Sequence, residues 1–256
     1  MGRIHEVIQT NDGFTIDTEI YYPNINSEKI VILCHGMMST SRYGKNKQFI
    51  KLISRLLENN YKVIAFNWRG HGESSGNSLD VSLDSFYYDL SAIVDTFVNN
   101  EEIYFIGHSF GALAINLFIY RRKYTNVQKI VLTSPPLNPI DSSLLNENTF
   151  LFDEITSALN NGSLEKVGYV KLKNNNWKIS KKLIDDCKEY NYKDSISYLS
   201  GKTLIIQGNN DIFVDKTYNE EYSTIYDIDY KEYNASHSLC EVFDDVINDI
   251  IEYFAK

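Results

Sequence analysis

Cysteine is scarce in this sequence. Only three occur in 256 residues, at Cys34, Cys187 and Cys240, and they are odd in number and far apart. They therefore form neither a disulfide framework nor a CxxC metal or redox site. We expect reduced, buried thiols, which is the usual state of free cysteine in a cytosolic protein.

The chain also lacks an excess of positive charge and any long apolar run. Its formal net charge is −9 and its pI is near 5.1, whereas a surface that neutralises phosphate groups needs the opposite sign. We therefore expect neither nucleic acid nor an anionic membrane surface as a partner. No apolar run reaches the ~18 residues of a membrane span, and the N-terminus lacks the apolar core of a signal peptide. These features predict a cytoplasmic protein with no membrane span.

Nucleotide-binding and metal-binding motifs are missing too. The sequence has no G-x-G-x-x-G and no Walker loop, and its five histidines lack the spacing of metal ligands. We therefore expect no cofactor and no metal. The chain is nevertheless long enough, and at 43% hydrophobic residues apolar enough, to bury a sizeable core.

What the sequence does contain is an alternation of short apolar runs with helical patterns. Five continuous apolar runs are typical of strands covered on both faces of a parallel sheet. These runs are KIVILC (29–34), KVIAFN (62–67), IYFIG (103–107), KIVLTS (129–134) and TLIIQG (203–208). Helical patterns lie at about 46–60, 82–99, 110–123, 215–226 and 239–254. This order predicts a doubly wound, mostly parallel α/β sheet.

Two further segments depart from the alternation. Near the N-terminus, IHEVIQT and FTIDTEIYY alternate apolar with polar residues around Asn11-Asp12-Gly13, which predicts a hairpin. Between 136 and 198, two helical pieces flank VGYVKLKNNNWKIS, which predicts a second, small hairpin around its asparagines. This stretch is too long for a plain loop. We therefore predict one core domain made of 1–135 and 199–256, with 136–198 inserted as a cap.

The strongest chemical signal is Gly107-His108-Ser109-Phe110-Gly111. It is a G-x-S-x-G that follows a predicted buried strand and opens a helix, which is the context this nucleophile motif requires. The turn would hold the serine hydroxyl above the sheet edge, at the positive end of the helix. A serine N-cap with incidental glycines is the alternative, and we favour the nucleophile.

A serine nucleophile needs a general base, and the base needs an acid that orients it. In this architecture the chain order is serine, then acid, then histidine. Of the five histidines, only His237 lies beyond Ser109. Asp211 comes directly after the run 203–208 and is our candidate acid. Asp215 is the runner-up, because its position suits a helix N-cap better.

Acyl transfer also needs hydrogen-bond donors for the developing oxyanion. The backbone N–H of Phe110, the residue after the candidate nucleophile, is the first candidate. The second is the N–H of Met37, in the loop that follows KIVILC. Gly36 in the same loop would let the backbone approach the reacting carbon closely.

The full pattern resembles the α/β-hydrolase superfamily over essentially the whole chain. It comprises H-G after one strand, R-G-H-G-E-S (69–74) after the next, G-H-S-x-G, a later acid and a late histidine. Within the superfamily, the segment 69–74 and the compact cap are similar to those of small bacterial cinnamoyl/feruloyl esterases and monoacylglycerol lipases. The chain departs from the feruloyl group at Phe110, where that group commonly has glutamine. The resemblance implies a Ser109–Asp211–His237 triad, with Met37 and Phe110 N–H groups as the oxyanion pair.

These observations predict a serine hydrolase that cleaves carboxylic esters or thioesters of small soluble substrates through an acyl-enzyme. An acyltransferase or a peptidase could use the same residues, and a non-catalytic ligand-binding protein of the same fold is the alternative from another class. The cap aromatics Tyr169 and Trp177 have two interpretations, as the lining of an acyl or aryl pocket or as a small core within the cap. The sequence makes no prediction about oligomeric state.

Overall fold

The apolar runs of the sequence become the strands of one large sheet. The computed structural model describes residues 2–25, 27–40, 47–173 and 176–256. Within these ranges the strands are β1 (Gly2–Gln9), β2 (Thr15–Tyr22), β3 (Lys29–Cys34), β4 (Lys62–Phe66), β5 (Glu102–His108), β6 (Val127–Thr133), β7 (Tyr169–Lys171), β8 (Lys178–Ser180), β9 (Thr203–Gly208) and β10 (Asp229–Tyr233). The five predicted buried strands are confirmed as β3, β4, β5, β6 and β9, and the predicted N-terminal hairpin as β1 and β2.

Helices separate most of these strands along the chain. In the same ranges they are α1 (Lys47–Glu58), α2 (Leu83–Phe97), α3 (Phe110–Arg122), α4 (Phe152–Asn160), α5 (Ser163–Val167), α6 (Lys181–Glu189), α7 (Tyr192–Ile196), α8 (Lys216–Ile225) and α9 (Phe243–Ala255). The five helical patterns of the sequence correspond to α1, α2, α3, α8 and α9. No helix of the described residues is both long enough and apolar enough to cross a membrane.

The strand order of the large sheet is β1-β2-β4-β3-β5-β6-β9-β10. Strand β2 pairs antiparallel with β1 and β4, and every other neighbouring pair is parallel. Strands β3, β5, β6 and β9 consequently end at the same edge of the sheet. In open α/β sheets, this carboxyl edge is where ligands bind. The fold is an α/β-hydrolase fold, as the sequence predicted.

Each face of the sheet is covered by its own helices. Along β3, alternate side chains point to opposite faces. Ile32 packs in one buried cluster with α2 and α3. Its neighbour Leu33 packs in a second cluster with α1 and α9. The central strands are therefore buried on both sides, which explains their continuous apolar sequences.

The last helix begins later than its sequence pattern indicates. We predicted a start at 239, but Leu239 has a φ of 54°, which no helix residue adopts. A short 3₁₀ turn, Cys240–Val242, follows it, and α9 begins at Phe243.

The same turn shows that one of the three cysteine predictions is wrong. Cys34 and Cys187 are buried as expected, whereas Cys240 is exposed because it lies in the turn before α9.

The chain between β6 and β9 leaves the large sheet, because these two strands pair directly with each other. The predicted small hairpin is confirmed there: β7 pairs antiparallel with β8, and Val170 lies opposite Ile179. The turn at 174–175 lies outside the described residues. Ser180 Oγ donates to the Val81 carbonyl at 3.1 Å, so the hairpin lies against the chain that follows β4.

Candidate active site

Ser109 lies at a strained turn between β5 and α3. Its φ of 53° and ψ of −127° fall in a region that L-residues rarely adopt. The Ser109 N–H donates to the carbonyl of Thr133, at the end of the neighbouring strand, at 2.9 Å. The serine is therefore held at the carboxyl edge of the sheet, directly before the first turn of α3.

Close backbone packing explains the small residues around Ser109. A Cβ atom at Gly111 would lie 2.3 Å from the carbonyl oxygen of Cys34 and 2.5 Å from that of His35, so a larger residue would displace the chain. Gly36, the next residue of the same loop, lies close to the serine itself, since a Cβ there would lie 3.1 Å from Ser109 Cβ. The loop after β3 is thereby brought against the serine turn.

His237 is paired with Asp211. The His237 Nδ1 atom lies 2.7 Å from Asp211 Oδ2, and the other carboxylate oxygen accepts the N–H groups of Phe213 and Val214. Burial raises the pKa of Asp211, but the bonds from His237 and from these backbone donors outweigh burial and lower it below the ordinary value. The carboxylate is therefore ionised at neutral pH and fixes Nδ1 of the imidazole as the protonated nitrogen.

Two residues that the sequence alone did not indicate support this acid. The buried side chain of Gln207 donates from Nε2 to Asp211 Oδ2 at 2.9 Å. Asn219 on α8 donates in turn to Gln207 Oε1 at 2.9 Å, which fixes the orientation of the glutamine amide. No sequence motif marks either residue, because their meeting depends on how α8 packs against β9.

Asp215, the runner-up acid, has a different role in the structure. It is the N-cap of α8, and its Oδ1 accepts the Thr217 N–H at 3.0 Å. Its other carboxylate oxygen accepts a hydrogen bond from Asn146. Among the described residues, the acid bonded to His237 is Asp211.

The two predicted oxyanion donors belong to the two segments that pack together at Ser109, the loop after β3 and the start of α3. Phe110 is the first residue of α3, so its N–H has no acceptor within the helix. Met37 lies in the loop after β3, and in the part of the chain that the structure describes its N–H donates to no other group. Met37 and Phe110 both border the cavity that contains Ser109.

His71 holds the loop after β3 in place. The Met38 N–H donates to His71 Nε2 at 3.0 Å, and His71 Nδ1 donates to the carbonyl of Arg69 at 3.0 Å. Arg69 is itself buried against Asp89, with its NH2 group 2.6 Å from the carboxylate. The only sequence signal for this arrangement is the G-H-G run of 69–74, and the sequence alone did not assign His71 a role.

Two histidines beside the site are buried as neutral side chains. Burial lowers the pKa of His71 to about 4, and burial together with the nearby His71 lowers the pKa of His35 well below its ordinary value. In the unfolded chain both groups titrate near 6.5, so unfolding below that pH takes up protons. We expect the free energy of unfolding to fall as the pH decreases from about 6.5 towards 4, by up to roughly 1.4 kcal/mol per pH unit for each histidine.

Urea unfolding near pH 7 and near pH 5 measures this dependence. The variant His71→Gln cannot take up the proton, so its stability should decrease less between the two pH values. An equal decrease in the variant and the wild type would contradict the assignment of His71 as a buried neutral histidine.

Ser109 and His237 line one cavity of about 240 Å³ at the carboxyl edge of the sheet. No hydrogen bond joins the two side chains within the described set, although catalytic bonds of this kind commonly form only when substrate is bound.

The predicted cap aromatics Tyr169 and Trp177 are not among the described residues that line the cavity. Trp177 packs instead on His71, with ring centroids 4.6 Å apart, because the β7–β8 hairpin lies against the loop after β4.

The chain is similar to known proteins in sequence and in structure. A protein-family model described as "Serine aminopeptidase, S33" matches residues 25–164. The non-heme haloperoxidase of Rhodococcus erythropolis is 29% identical over 132 residues, which are 51% of this chain and 44% of that protein. Protein phosphatase methylesterase 1 of Candida albicans is 30% identical over 115 residues, 44% of this chain and 30% of that protein. The chain thus spans less than half the length of these curated relatives.

Solved structures match over the whole chain at low identity. The ferulic acid complex of Est1E from Butyrivibrio proteoclasticus has a TM-score of 0.79 and 18% identity, with 98% of each chain covered. An esterase from Exiguobacterium antarcticum has a TM-score of 0.74 and 16% identity, with 99% of this chain and 100% of the other covered. At these identities the likeness establishes the fold.

Proposed function

Because this chain belongs to the α/β-hydrolase family described as serine aminopeptidase S33, we propose that it is a serine hydrolase of carboxylic esters or thioesters. The proposal rests mainly on one observation: a strained serine turn and a histidine–aspartate pair lie at the same cavity. Ser109 lies there on a strained turn, and His237 lies beside it with its Nδ1 bound to Asp211. A nucleophile, a base and an orienting acid are the minimum set for acyl transfer through a covalent intermediate.

In the proposed reaction, Ser109 Oγ attacks the carbonyl carbon of the ester and His237 Nε2 takes the hydroxyl proton. Asp211 stabilises the imidazolium that forms, and the N–H groups of Met37 and Phe110 bind the oxyanion. His237 then gives its proton to the departing alcohol, which leaves an acyl-serine. Water, deprotonated by His237, attacks the acyl-serine and releases the acid, and the proton returns to Ser109.

The lining of the cavity favours an ester over the substrate of an aminopeptidase. An aminopeptidase must bind the charged amino group of a peptide, which needs a carboxylate near the nucleophile. The described lining residues include no aspartate or glutamate, and the Asp211 carboxylate is already bound to His237 and to backbone N–H groups. A neutral ester meets no such requirement.

Paired substrates test this choice. We expect turnover of p-nitrophenyl acetate and no detectable release of p-nitroaniline from unblocked amino-acid p-nitroanilides at the same enzyme concentration. Faster turnover of the anilides would replace the esterase proposal with a peptidase. Absence of turnover for every ester and amide, together with tight binding of a small ligand, would favour the non-catalytic alternative.

We also propose that residues 136–198 act as the cap of this site. Ser143 and Leu151 from this segment border the cavity, and the Leu83 N–H at the start of α2 donates to Asp186 at 3.1 Å. The segment thus contributes to the cavity wall and is attached to the core at the start of α2.

His71 provides a test of the oxyanion assignment, because it fixes the residue that follows Met37. We expect His71→Ala to lower kcat for p-nitrophenyl acetate about tenfold or more with little change in KM, since losing an oxyanion donor outright costs roughly 10²–10³-fold. His71→Gln, whose amide oxygen can accept the Met38 N–H, should recover part of the loss. A change confined to KM, or no recovery in the glutamine variant, would contradict this positioning role.

A further inference from the structure

The cavity beside Ser109 continues between two helices on one face of the sheet. Its described lining includes Phe49 and Leu52 from α1, Ile106 from β5, and Val246 and Ile250 from α9. We call these five side chains the apolar end of the cavity. Leu52, Ile106, Val246 and Ile250 belong to the buried cluster that joins α1 and α9 to the sheet. The cavity therefore reaches into the hydrophobic core on the side away from the β7–β8 hairpin.

The apolar end is suited to an uncharged, hydrophobic group. All of its side chains are hydrocarbon, and the described lining of the whole cavity contains no aspartate, glutamate, lysine or arginine. A charged group placed there would lose its hydration without gaining a partner. Three polar lining groups, His108, Ser109 and Thr133, lie at the carboxyl edge of the sheet, where the ester itself would react. Gln48 on α1 also lines the cavity, and its side-chain amide donates to Cys240 Sγ.

The size of the cavity limits the group that it can hold. Its volume of about 240 Å³ is shared between the apolar end and the region around Ser109, so the apolar end has room for a short chain and not for a long one. We propose that the apolar end binds the acyl group of the substrate as a short, unbranched hydrocarbon chain. This inference rests on the proposed serine esterase function and names its substrate class.

The order in which the products leave favours the acyl chain, and not the alcohol, as the group bound at the apolar end. The alcohol takes its proton from His237 and must then leave the site, whereas the acyl group stays on Ser109 until water attacks. A pocket between α1 and α9 that ends in the core suits the group that remains. The path of the leaving alcohol then lies towards the 136–198 segment.

A series of p-nitrophenyl esters with linear acyl chains from acetate to dodecanoate tests the proposal on the wild-type protein. Each added methylene should raise kcat/KM up to about fourfold until the chain fills the cavity, because burying a methylene is favourable. Once the chain is longer than the apolar end, kcat/KM should fall, so the series should pass through a maximum before dodecanoate. Hydrolysis of the acetate with no rise along the series would overturn the acyl-chain proposal and leave the esterase function standing. Absence of hydrolysis for all chains would overturn both.

Substitutions that fill the apolar end sharpen the test. Leu52→Trp from α1 and Ile250→Phe from α9 should each move the optimum to shorter chains and lower kcat/KM for octanoate at least tenfold relative to acetate. Tyr169→Ala, which lies outside the described lining, should keep the wild-type optimum. An unchanged optimum in both filled variants, or a shift in Tyr169→Ala, would overturn the assignment of the acyl site.

A measurement on the unmodified protein remains decisive if the filled variants fail to fold. Alkyl fluorophosphonates carry a reactive phosphorus on a hydrocarbon chain of chosen length. The second-order rate of Ser109 labelling should rise with chain length until the alkyl chain fills the apolar end, and then fall. Labelling that is fast but independent of chain length would contradict the inference without affecting the nucleophile.

Discussion

Replacement of Ser109 by alanine is expected to lower kcat for p-nitrophenyl acetate by about 10⁵- to 10⁶-fold, the effect of removing a catalytic serine nucleophile. The reason is the loss of the only group in the proposed mechanism that forms a bond to the substrate. The fold should be unaffected, because alanine retains the Cβ atom and the backbone N–H that donates to Thr133. Initial rates and circular dichroism of the purified variant measure the two effects.

The control for this experiment is Ser223→Ala, purified in parallel. Ser223 lies on α8, where its hydroxyl donates to the carbonyl of Glu220, outside the described cavity lining. It should retain wild-type activity. A loss of activity in Ser109→Ala is then due to the substitution at Ser109 and not to the purification. Activity of Ser109→Ala within tenfold of that of the control would exclude Ser109 as the nucleophile.

The second large effect is expected at Asp211. Asp211→Asn should lower kcat by about 10⁴-fold, because an amide can donate to His237 Nδ1 and so stabilise the wrong imidazole tautomer. The same change removes the negative charge that stabilises the imidazolium. Measurement of kcat near neutral pH, where the acid is ionised in the wild type, gives the size of the effect.

Asp215→Asn is the matched control, since it makes the same chemical change four residues away. Asparagine remains a good helix N-cap, so both kcat and thermal stability should stay within about twofold and a few degrees of the wild type. Equal losses in the two variants would contradict the choice of acid. Loss of activity in Asp215→Asn alone would assign the role to Asp215.

The order of strands and helices could be predicted because each central strand is buried on both faces. Such strands must be apolar throughout, and KIVILC or TLIIQG can hardly be anything else within an α/β pattern. The candidate nucleophile and base also follow from local sequence, since the elbow has a motif and a single histidine lies beyond it. For the acid, the sequence left two candidates, Asp211 and Asp215. Only the folded structure shows that Asp211 is the one bonded to His237.

Features that depend on tertiary packing could not be predicted from the sequence. The helical pattern near the C-terminus extends back to 239, yet the left-handed conformation of Leu239 delays the start of α9 and exposes Cys240. The position of Trp177 on His71 depends on where a distant hairpin packs. The apolar end of the cavity could not be recognised either, because Leu52 and Ile250 look like ordinary core residues on amphipathic helices.

The most direct test of the central claim is identification of the residue that becomes covalently modified. The wild-type protein is treated with a fluorophosphonate, digested and sequenced by mass spectrometry, beside Ser109→Ala. We predict stoichiometric modification of the peptide that contains Ser109 in the wild type, and none in the variant. Modification at another residue, or equal labelling of the two proteins, would contradict the proposal that Ser109 is the nucleophile of a serine hydrolase.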